Sequence, residues 1–309
     1  MYNMRCYKIL GDFFDCQLYK EHLYVWTMEG TLNIYNWYKI LNLFENQESV
    51  ILLDIVSGQN SVTLSSGLFP TDTAIVGNSL YTALETGLYR NCIVKGYIEE
   101  ATKISDIVPI TLCTYNNNKL GICAGEDGLF EMRCLPKSLK PNQSDYGIHR
   151  ISHRNITHCY YNKNLLFSMD NNQKQFVYQF NEDVNLLKQT FEELTFEEFI
   201  GDEKSYKKLE NSEVYNIYDG QIYIYKLDNT RNKITSKRLN ISDNTIYEVK
   251  HINKGYIIES NTGLQFVNLK KEILRLESPI TQFRYFHRAQ EKSDYLFVIL
   301  DDEIRIYKV

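Results

Sequence analysis

One pattern of hydrophobic and polar positions recurs seven times along the chain: a short apolar run, a tight polar turn, and a run that alternates with aromatic or β-branched residues. Alternation with a period of two predicts strands, and a short polar turn between two such runs predicts a β-hairpin. We therefore predict seven β-hairpins. Their first residues are His22, Ser79, Lys119, Asn164, Glu213, Lys254 and Asp294.

The seven turns are rich in acids, Gly and Asn. Gly and Asn supply the positive φ that tight hairpin turns require, and acidic side chains favour turns by bonding their own backbone. The turns are Glu29-Gly30, Glu85-Thr86-Gly87, Glu126-Asp127-Gly128, Asp170-Asn171-Asn172, Asp219-Gly220, Asn261-Thr262-Gly263 and Asp301-Asp302-Glu303. Successive copies begin 40 to 57 residues apart, and most of these intervals are close to the roughly 40 to 45 residues of a four-stranded propeller blade.

Each hairpin is flanked by further strand-like segments, such as the segment from Phe13 before the first copy and the segment from Tyr38 to Phe44 after it. The hairpins are therefore expected to be the two middle strands of four-stranded antiparallel blades. This predicts an all-β chain forming a single seven-bladed β-propeller over residues 1–309.

The two ends of the chain support the count of seven. The last copy stops at Val309 with the third strand of its blade, and a spare strand-like segment, Arg5-Cys-Tyr-Lys-Ile-Leu10, precedes the first blade. Pairing this segment with the last blade would remove exposed sheet edges, which are aggregation sites. We predict that the N-terminal strand closes the C-terminal blade.

In repeat length, hairpin character and this closure, essentially the whole chain resembles the WD40-like propeller superfamily. The family's Gly-His and Trp-Asp signatures are missing, since the positions that would hold Trp-Asp read Asn36-Trp37, Tyr178-Gln179 and Tyr307-Lys308. A kelch or other propeller of similar period is the alternative. The resemblance implies a rigid platform for binding protein partners.

Two inserts interrupt the repeat, near residues 45–70 and 185–208. We interpret the first as a lengthened connection, with an extra hairpin as the alternative, and expect it to pack on the side of blade one or two. In the second, Phe191, Leu194 and Phe199 approximate helical spacing between acids, which predicts a short amphipathic acidic helix. Phe191 and Phe199 are either exposed partner anchors or part of a solvated helix laid over blade four or five.

The seven cysteines are scattered rather than paired as CxxC, which is typical of free thiols in a reducing compartment. Cys16, Cys113 and Cys159 each precede the apolar start of a hairpin, inside the expected innermost strand. We interpret them as small buried residues, with metal ligands or nucleophiles as the alternative. Residues 1–10 lack the apolar core of a secretory signal, and no run reaches the roughly 20 apolar residues of a membrane span. A cytoplasmic protein without membrane contact is expected.

The segment from His149 to His158 gathers three of the six histidines. On a strand, four residues span about 13 Å, so His149 and His153 cannot share one zinc ion. A cationic partner-binding patch of His149, Arg150, His153 and Arg154 is the better interpretation. The net charge of −5 argues against nucleic acid as its partner.

The turn acids are expected to form a negative rim that attracts a basic partner. The rim residues are Glu29, Glu85, Glu126, Asp127, Asp170, Asp219, Asp301 and Asp302, and all of these except Asp170 and Asp219 are the candidate partner-binding acids. A second basic stretch, Arg284 to Arg288, falls in the expected innermost strand of blade seven, where it would line or cap the central channel.

The sequence contains no P-loop, GxGxxG, GxSxG or HExxH motif. We therefore predict a non-enzymatic interaction scaffold or complex subunit that binds one or more proteins and carries no cofactor, metal or catalytic residue. The alternative is an enzyme or small-ligand binder that uses the central channel; charged side chains converging at one channel mouth would favour it.

Overall fold

The computed structural model describes most of the chain. The described residues are 5–45, 50–52, 60–63, 69–115, 118–133, 147–163, 165–180, 191–209, 212–228, 233–239, 241, 245–252, 255–267, 272–277, 279–290 and 293–309. These residues divide into two compact units. The first comprises residues 1–106, 252–257 and 262–309, and the second comprises residues 107–251 and 258–261.

Strands dominate from the first described residues onward. The elements up to residue 106 are β1 (Cys6–Leu10), β2 (Phe13–Tyr19), β3 (His22–Thr27), β4 (Thr31–Asn36), α1 (Trp37–Glu45), β5 (Val50–Leu52), β6 (Asn60–Thr63), β7 (Asp72–Val76), β8 (Ser79–Leu84), β9 (Gly87–Val94), β10 (Tyr97–Ile98) and β11 (Thr102–Ser105).

The middle of the chain adds further strands and two short helices. These elements are β12 (Thr111–Tyr115), β13 (Lys119–Cys123), β14 (Leu129–Arg133), β15 (Ile148–Ser152), β16 (Ile156–Asn162), β17 (Leu165–Asp170), β18 (Gln175–Phe180), β19 (Phe191–Thr195), α2 (Phe196–Gly201), α3 (Glu203–Tyr206), a 3₁₀ turn (Lys207–Leu209), β20 (Glu213–Tyr218), β21 (Gln221–Asp228) and β22 (Lys233–Arg238).

The last part is again all strand. It contains β23 (Ile246–Ile252), β24 (Gly255–Ser260), β25 (Gly263–Val267), β26 (Glu272–Glu277), β27 (Gln282–Gln290), β28 (Ser293–Ile299) and β29 (Glu303–Lys308).

The described strands form seven sheets, and each sheet contains one of the predicted hairpins. In chain order the sheets are β2-β3-β4-β6, β7-β8-β9 with β10 and β11, β12 to β15, β16 to β19, β20-β21-β22, β23 to β26, and β27-β28-β29-β1-β5. The predicted all-β, seven-bladed organisation is confirmed. At Asp219-Gly220, between β20 and β21, both turn residues have positive φ, as the sequence predicts for a two-residue hairpin turn.

Burial explains why the hairpin strands have the clearest pattern of apolar residues in the sequence. Every residue of β8 is buried, since this strand lies between two others and packs on both faces. The outer strand β22, Lys-Ile-Thr-Ser-Lys-Arg, is almost entirely exposed. Apolar content therefore marks the middle strands, whereas lysines on the outer strand protect an open sheet edge.

The predicted closure by the N-terminal strand is confirmed. β1 pairs antiparallel with β29 over five positions, from Cys6 opposite Tyr307 to Leu10 opposite Glu303. Tyr7 and Ile9 point into the core of the first unit, where Ile9 has no exposed surface. The strand thus contributes buried apolar area as well as backbone pairing.

The first insert and the segment just before it depart from the sequence prediction. Residues 38–44, expected as a strand, lie in helix α1, whose Trp37 and Phe44 are buried against the seventh sheet's Tyr295 and Tyr7. Strand β5 then pairs parallel with β1, so this part of the insert packs on the seventh sheet and not on blade one or two. β6 returns as the outer strand of the first sheet. Residues 46–49, 53–59 and 64–68 of the insert lie outside the described residues.

The fifth sheet has three described strands instead of the expected four. Before β20, where another strand was expected, the chain forms α2, α3 and the 3₁₀ turn. Helix α2 begins with a capping box in which Thr195 and Glu198 bond each other's backbone N–H. The capping box and the helical spacing of the buried Phe196 and Phe199 therefore favour a helix here instead of a strand. Residues 185–190 of the second insert lie outside the described residues.

Candidate interaction surface

In the first unit, the turns of the first and seventh sheets meet at the connection between β1 and β2. The backbone N–H of Gly11 donates to Asp302 O at 3.0 Å, and the N–H of Met28 donates to Asp12 O at 3.1 Å. Asp12, Glu29, Asp301 and Asp302 are all exposed at this junction. We call these four residues the acidic turn surface. It unites three of the predicted rim acids with Asp12, which the sequence analysis did not select.

Large apolar side chains border the acidic turn surface. Met28 is 46% exposed beside Glu29, and Leu10 is 37% exposed at the end of β1. Lys8, the cation nearest to Leu10 along the chain, is engaged with Glu303 at 3.0 Å. Burial alone would raise the pKa of Glu303, but its hydrogen bonds with Arg305 and Lys8 lower it. Lys8 and Arg305 are therefore both paired with Glu303 within the seventh sheet.

Glu85 occupies the corresponding hairpin turn of the second sheet. Glu85 and Thr86 are both exposed. Gly87 closes the turn with φ +131, and a Cβ there would lie 2.2 Å from Ser105 O. The turn is thus held tightly against the end of β11, so Glu85 projects from a rigid base.

Behind these turns, Arg284 joins the first strands of three sheets. Its Nε donates to Asp15 Oδ1 at 2.8 Å, and its Nη2 donates to Asp15 Oδ2 at 2.7 Å and to Asp72 Oδ1 at 2.6 Å. Asp15 also accepts from the Thr73 hydroxyl at 2.6 Å and from the Cys16 N–H at 2.7 Å. The three strands involved are β27, β2 and β7.

The Arg284 network is buried and electrostatically strong. The side chains of Arg284, Asp15 and Asp72 are 11%, 2% and 8% exposed. Burial alone would lower the pKa of Arg284, but the charges of Asp15 and Asp72 raise it well above its usual value. Because the charged groups bond one another, the network is suited to fixing strands rather than to receiving a ligand. Arg284 was predicted from the sequence as part of a basic stretch, but no local pattern indicates its partners. The side chains of His287 and Arg288 lie outside the described residues.

In the second unit, one residue of the predicted cationic patch, Arg154, is already paired with an acid of the same unit. Arg154 Nη2 lies 2.8 Å from Glu193 Oε1, and its guanidinium lies 4.2 Å from the centre of the Phe176 ring. The hydrogen bond with Glu193 raises the pKa of Arg154. Arg154 is thus held within the fourth sheet.

The remaining patch residues are exposed along or just after β15. His149, Arg150 and His153 are all exposed. Arg150 stacks 5.0 Å from the centre of the Phe130 ring, and its Nη1 lies 3.2 Å from His153 Nδ1. These three side chains form a small cationic surface on the third sheet.

Glu126 and Asp127 lie beside that cationic surface. They are exposed in the turn that ends at Gly128, where φ is +104 and a Cβ would lie 2.1 Å from Ser152 O. This close approach seats the turn against the end of β15, next to His153. Here the turn acids adjoin cations, whereas Lys8 and Arg305, which lie close in sequence to the acidic turn surface, are paired with Glu303.

The phenylalanines of the second insert do not form a docking surface on α2. Phe199 has no exposed surface and meets Phe167 edge-on, with ring centres 5.7 Å apart. It packs with Phe196, Leu209 and strands of the fourth and fifth sheets. Phe199 is therefore a core residue, and its prediction as a partner anchor is wrong. Phe191 lies on β19 opposite Phe180, not on the helix, and its side chain is outside the described residues.

No group of three or more His, Cys, Asp or Glu side chains within the described ranges is placed to hold a metal ion. No helix in that part of the chain is long and apolar enough to cross a bilayer.

Comparison with known proteins relates this chain to others by fold only. No family model and no curated protein matches the sequence. Among solved structures, the N-terminal domain of Nup159 matches with a TM-score of 0.59 and 9% identity, over 96% of this chain and 89% of that one. A chain of the S. cerevisiae assembly of Dbp5 with Nup159, Gle1, IP6 and ADP matches with a TM-score of 0.59 and 9% identity, over 97% of this chain and 90% of that one.

A third structure is the β-propeller domain of Cps50 (Swd1) from Myceliophteria thermophila, with a TM-score of 0.56 and 10% identity, over 97% of this chain and 96% of that one. The match spans nearly the full length of both chains, so it covers the whole set of seven sheets and not a single hairpin. With the seven hairpin-centred sheets and the closing strand β1, this identifies the chain as a seven-bladed β-propeller.

Proposed function

We propose that this chain is a non-catalytic interaction module that binds a protein partner through the acidic turn surface. The preferred partner segment is basic and carries at least one apolar side chain. The observation that carries the proposal is the junction where Asp12, Glu29, Asp301 and Asp302 are exposed around backbone hydrogen bonds, beside exposed Met28. Complementary charge steers the partner, and Met28 offers an adaptable apolar contact.

Rigidity behind the surface supports this function. Arg284 fixes the first strands of the seventh, first and second sheets through Asp15 and Asp72. Turns projecting from strands held in this way lose little conformational entropy on binding, which favours affinity. The Nup159 assembly with Dbp5 and Gle1 is an example of a similar fold within a multiprotein complex.

The alternative, a small-ligand or enzyme site on the innermost strands, has less support. The charged side chains that converge there in the first unit are Asp15, Asp72 and Arg284, and they bond one another. A ligand would have to break these contacts in a buried site, at a high desolvation cost. The proposed location is the cytoplasm, which suits the six free cysteines among the described residues.

A charge-matched pair of variants tests the proposal. The surface variant is Glu29→Gln with Asp301→Asn and Asp302→Asn. The control, Glu45→Gln with Glu99→Gln and Glu100→Gln, removes the same amount of charge from exposed acids elsewhere in the first unit. Partners captured on the wild type from the source cell are identified by mass spectrometry, and their affinity for each purified protein is measured at low and high salt.

The surface variant should bind a stoichiometric partner on the order of tenfold more weakly, whereas the control should bind like the wild type. The difference should shrink at high salt, because salt screens exposed charges. Equal binding by the two variants would exclude the acidic turn surface. If no protein partner is captured and a metabolite is turned over instead, the interaction module itself is refuted.

A further inference from the structure

Three cysteines meet in the core between the third and fourth sheets of the second unit. Cys113 lies on β12, Cys123 on β13 and Cys159 on β16. Cys113 Sγ and Cys159 Sγ are 3.0 Å apart, although 46 residues separate them in the chain. Hydrogen bonds with Cys113 and Cys123, together with burial, raise the pKa of Cys159. The shortest of these contacts joins two first strands from neighbouring sheets.

The space for this sulfur pair depends on a glycine. Gly121, inside β13, lies directly opposite Cys113 in the antiparallel register. A Cβ on Gly121 would lie 2.6 Å from Cys113 Sγ and 3.3 Å from Cys159 Sγ. Glycine inside a strand weakens it and marks a close approach, and here the group that approaches is the Cys113 thiol. The absent side chain leaves room for both sulfur atoms on this face of the sheet.

We propose that Cys113 and Cys159 form an oxidant-induced disulfide that joins the third and fourth sheets. A disulfide bond is about 2.05 Å long, so the two sulfur atoms need to approach by only about 1 Å more. Cys159 is 9% exposed, whereas Cys113 is half-buried. A peroxide therefore reaches Cys113 first.

The reaction balances with hydrogen peroxide as the oxidant. The Cys113 sulfur is oxidised to a sulfenic acid, and the peroxide is reduced to one water molecule. The Cys159 sulfur then attacks the Cys113 sulfur, which forms the S–S bond. The sulfenic hydroxyl leaves with the Cys159 proton as a second water molecule. Two thiols lose two hydrogen atoms in total.

The test compares reduced and peroxide-treated full-length protein. After free thiols are blocked with an alkylating agent, proteolysis and mass spectrometry should identify a Cys113–Cys159 linked peptide in the oxidised wild type. Cys113→Ser should abolish it, whereas Cys92→Ala, which removes a half-buried cysteine from another sheet, should retain it. The oxidised wild type should melt about 5 °C or more above the reduced form, because the link restricts the unfolded chain.

Two results would overturn the proposal. One is recovery of Cys113 and Cys159 as separately alkylated or over-oxidised peptides from folded, peroxide-treated wild type. The other is a Cys123–Cys159 link in place of the proposed one. Both are read from the wild type alone, so the conclusion does not depend on whether Cys113→Ser folds.

Discussion

Replacing Arg284 with methionine tests whether the buried ion network holds the first unit together. Methionine keeps the length of the apolar stem but leaves Asp15 and Asp72, which are 2% and 8% exposed, without their cation. Three hydrogen bonds of 2.6 to 2.8 Å are lost at once. Removing one partner of a buried ion pair costs about 3 to 5 kcal/mol. We expect Arg284→Met to lower the free energy of unfolding by about 4 kcal/mol at neutral pH.

Urea unfolding followed by tryptophan fluorescence measures this loss. Urea is chosen because it is uncharged and leaves ionic interactions unscreened. Trp26 and Trp37 are fully buried in the first unit, so the fluorescence reports on the region that contains Arg284.

A compensating variant separates the charge effect from lost packing. Adding Asp15→Asn and Asp72→Asn to Arg284→Met removes both uncompensated charges and should recover about half of the lost stability. The charge effect is refuted if this triple variant is no more stable than Arg284→Met. It is also refuted if Arg284→Met costs less than about 1 kcal/mol, the worth of an exposed pair.

Two further predictions concern the second unit. Burial, and then the charge of Glu248, raise the pKa of Glu259 to about 7. The protonated carboxyl is therefore the form that the folded state favours. The stability that this protonated form contributes is lost as the pH rises through about 7. Glu259→Gln should thus exceed the wild type in unfolding free energy by about 2 kcal/mol at pH 8 and match it at pH 4, and a difference that does not vary with pH would contradict the assignment. Phe199→Ala should lower the unfolding free energy by about 3 to 4 kcal/mol because it empties a fully buried site, while Glu197→Ala, at an exposed residue, should change it by less than about 0.5 kcal/mol. Urea unfolding followed by far-UV circular dichroism measures both, and equal effects of the two substitutions would contradict the assignment of Phe199 to the core.

The elements predicted from sequence are those whose signal is local. A hairpin such as β20-β21 contains its own strands and its own Asp219-Gly220 turn, so a window of some fifteen residues carries all the information. The closing strand β1 was also predictable, because an incomplete last blade and a spare first strand require one another. These features identify the fold without any recognisable family signature.

The errors arose where one pattern is compatible with two structures. The segment from Tyr38 to Phe44 has apolar residues that suit a strand as well as α1, and burial of Trp37 and Phe44 against the seventh sheet decides for the helix. Phe199 has the spacing of an amphipathic helix, which does not reveal whether the apolar face meets a partner or the chain's own core. Periodicity identifies a face but not what covers it.

The amino-acid sequence by itself determined the seven hairpins, their count and the closure, because strand alternation and turn chemistry act between neighbours along the chain. Only the tertiary structure decided that Arg284 neutralises Asp15 across 269 positions and that Cys113 meets Cys159. It also decided which turn acids gather into one surface. Such contacts depend on how sheets pack side by side, and the energies of charges and thiols depend on the burial that this packing creates.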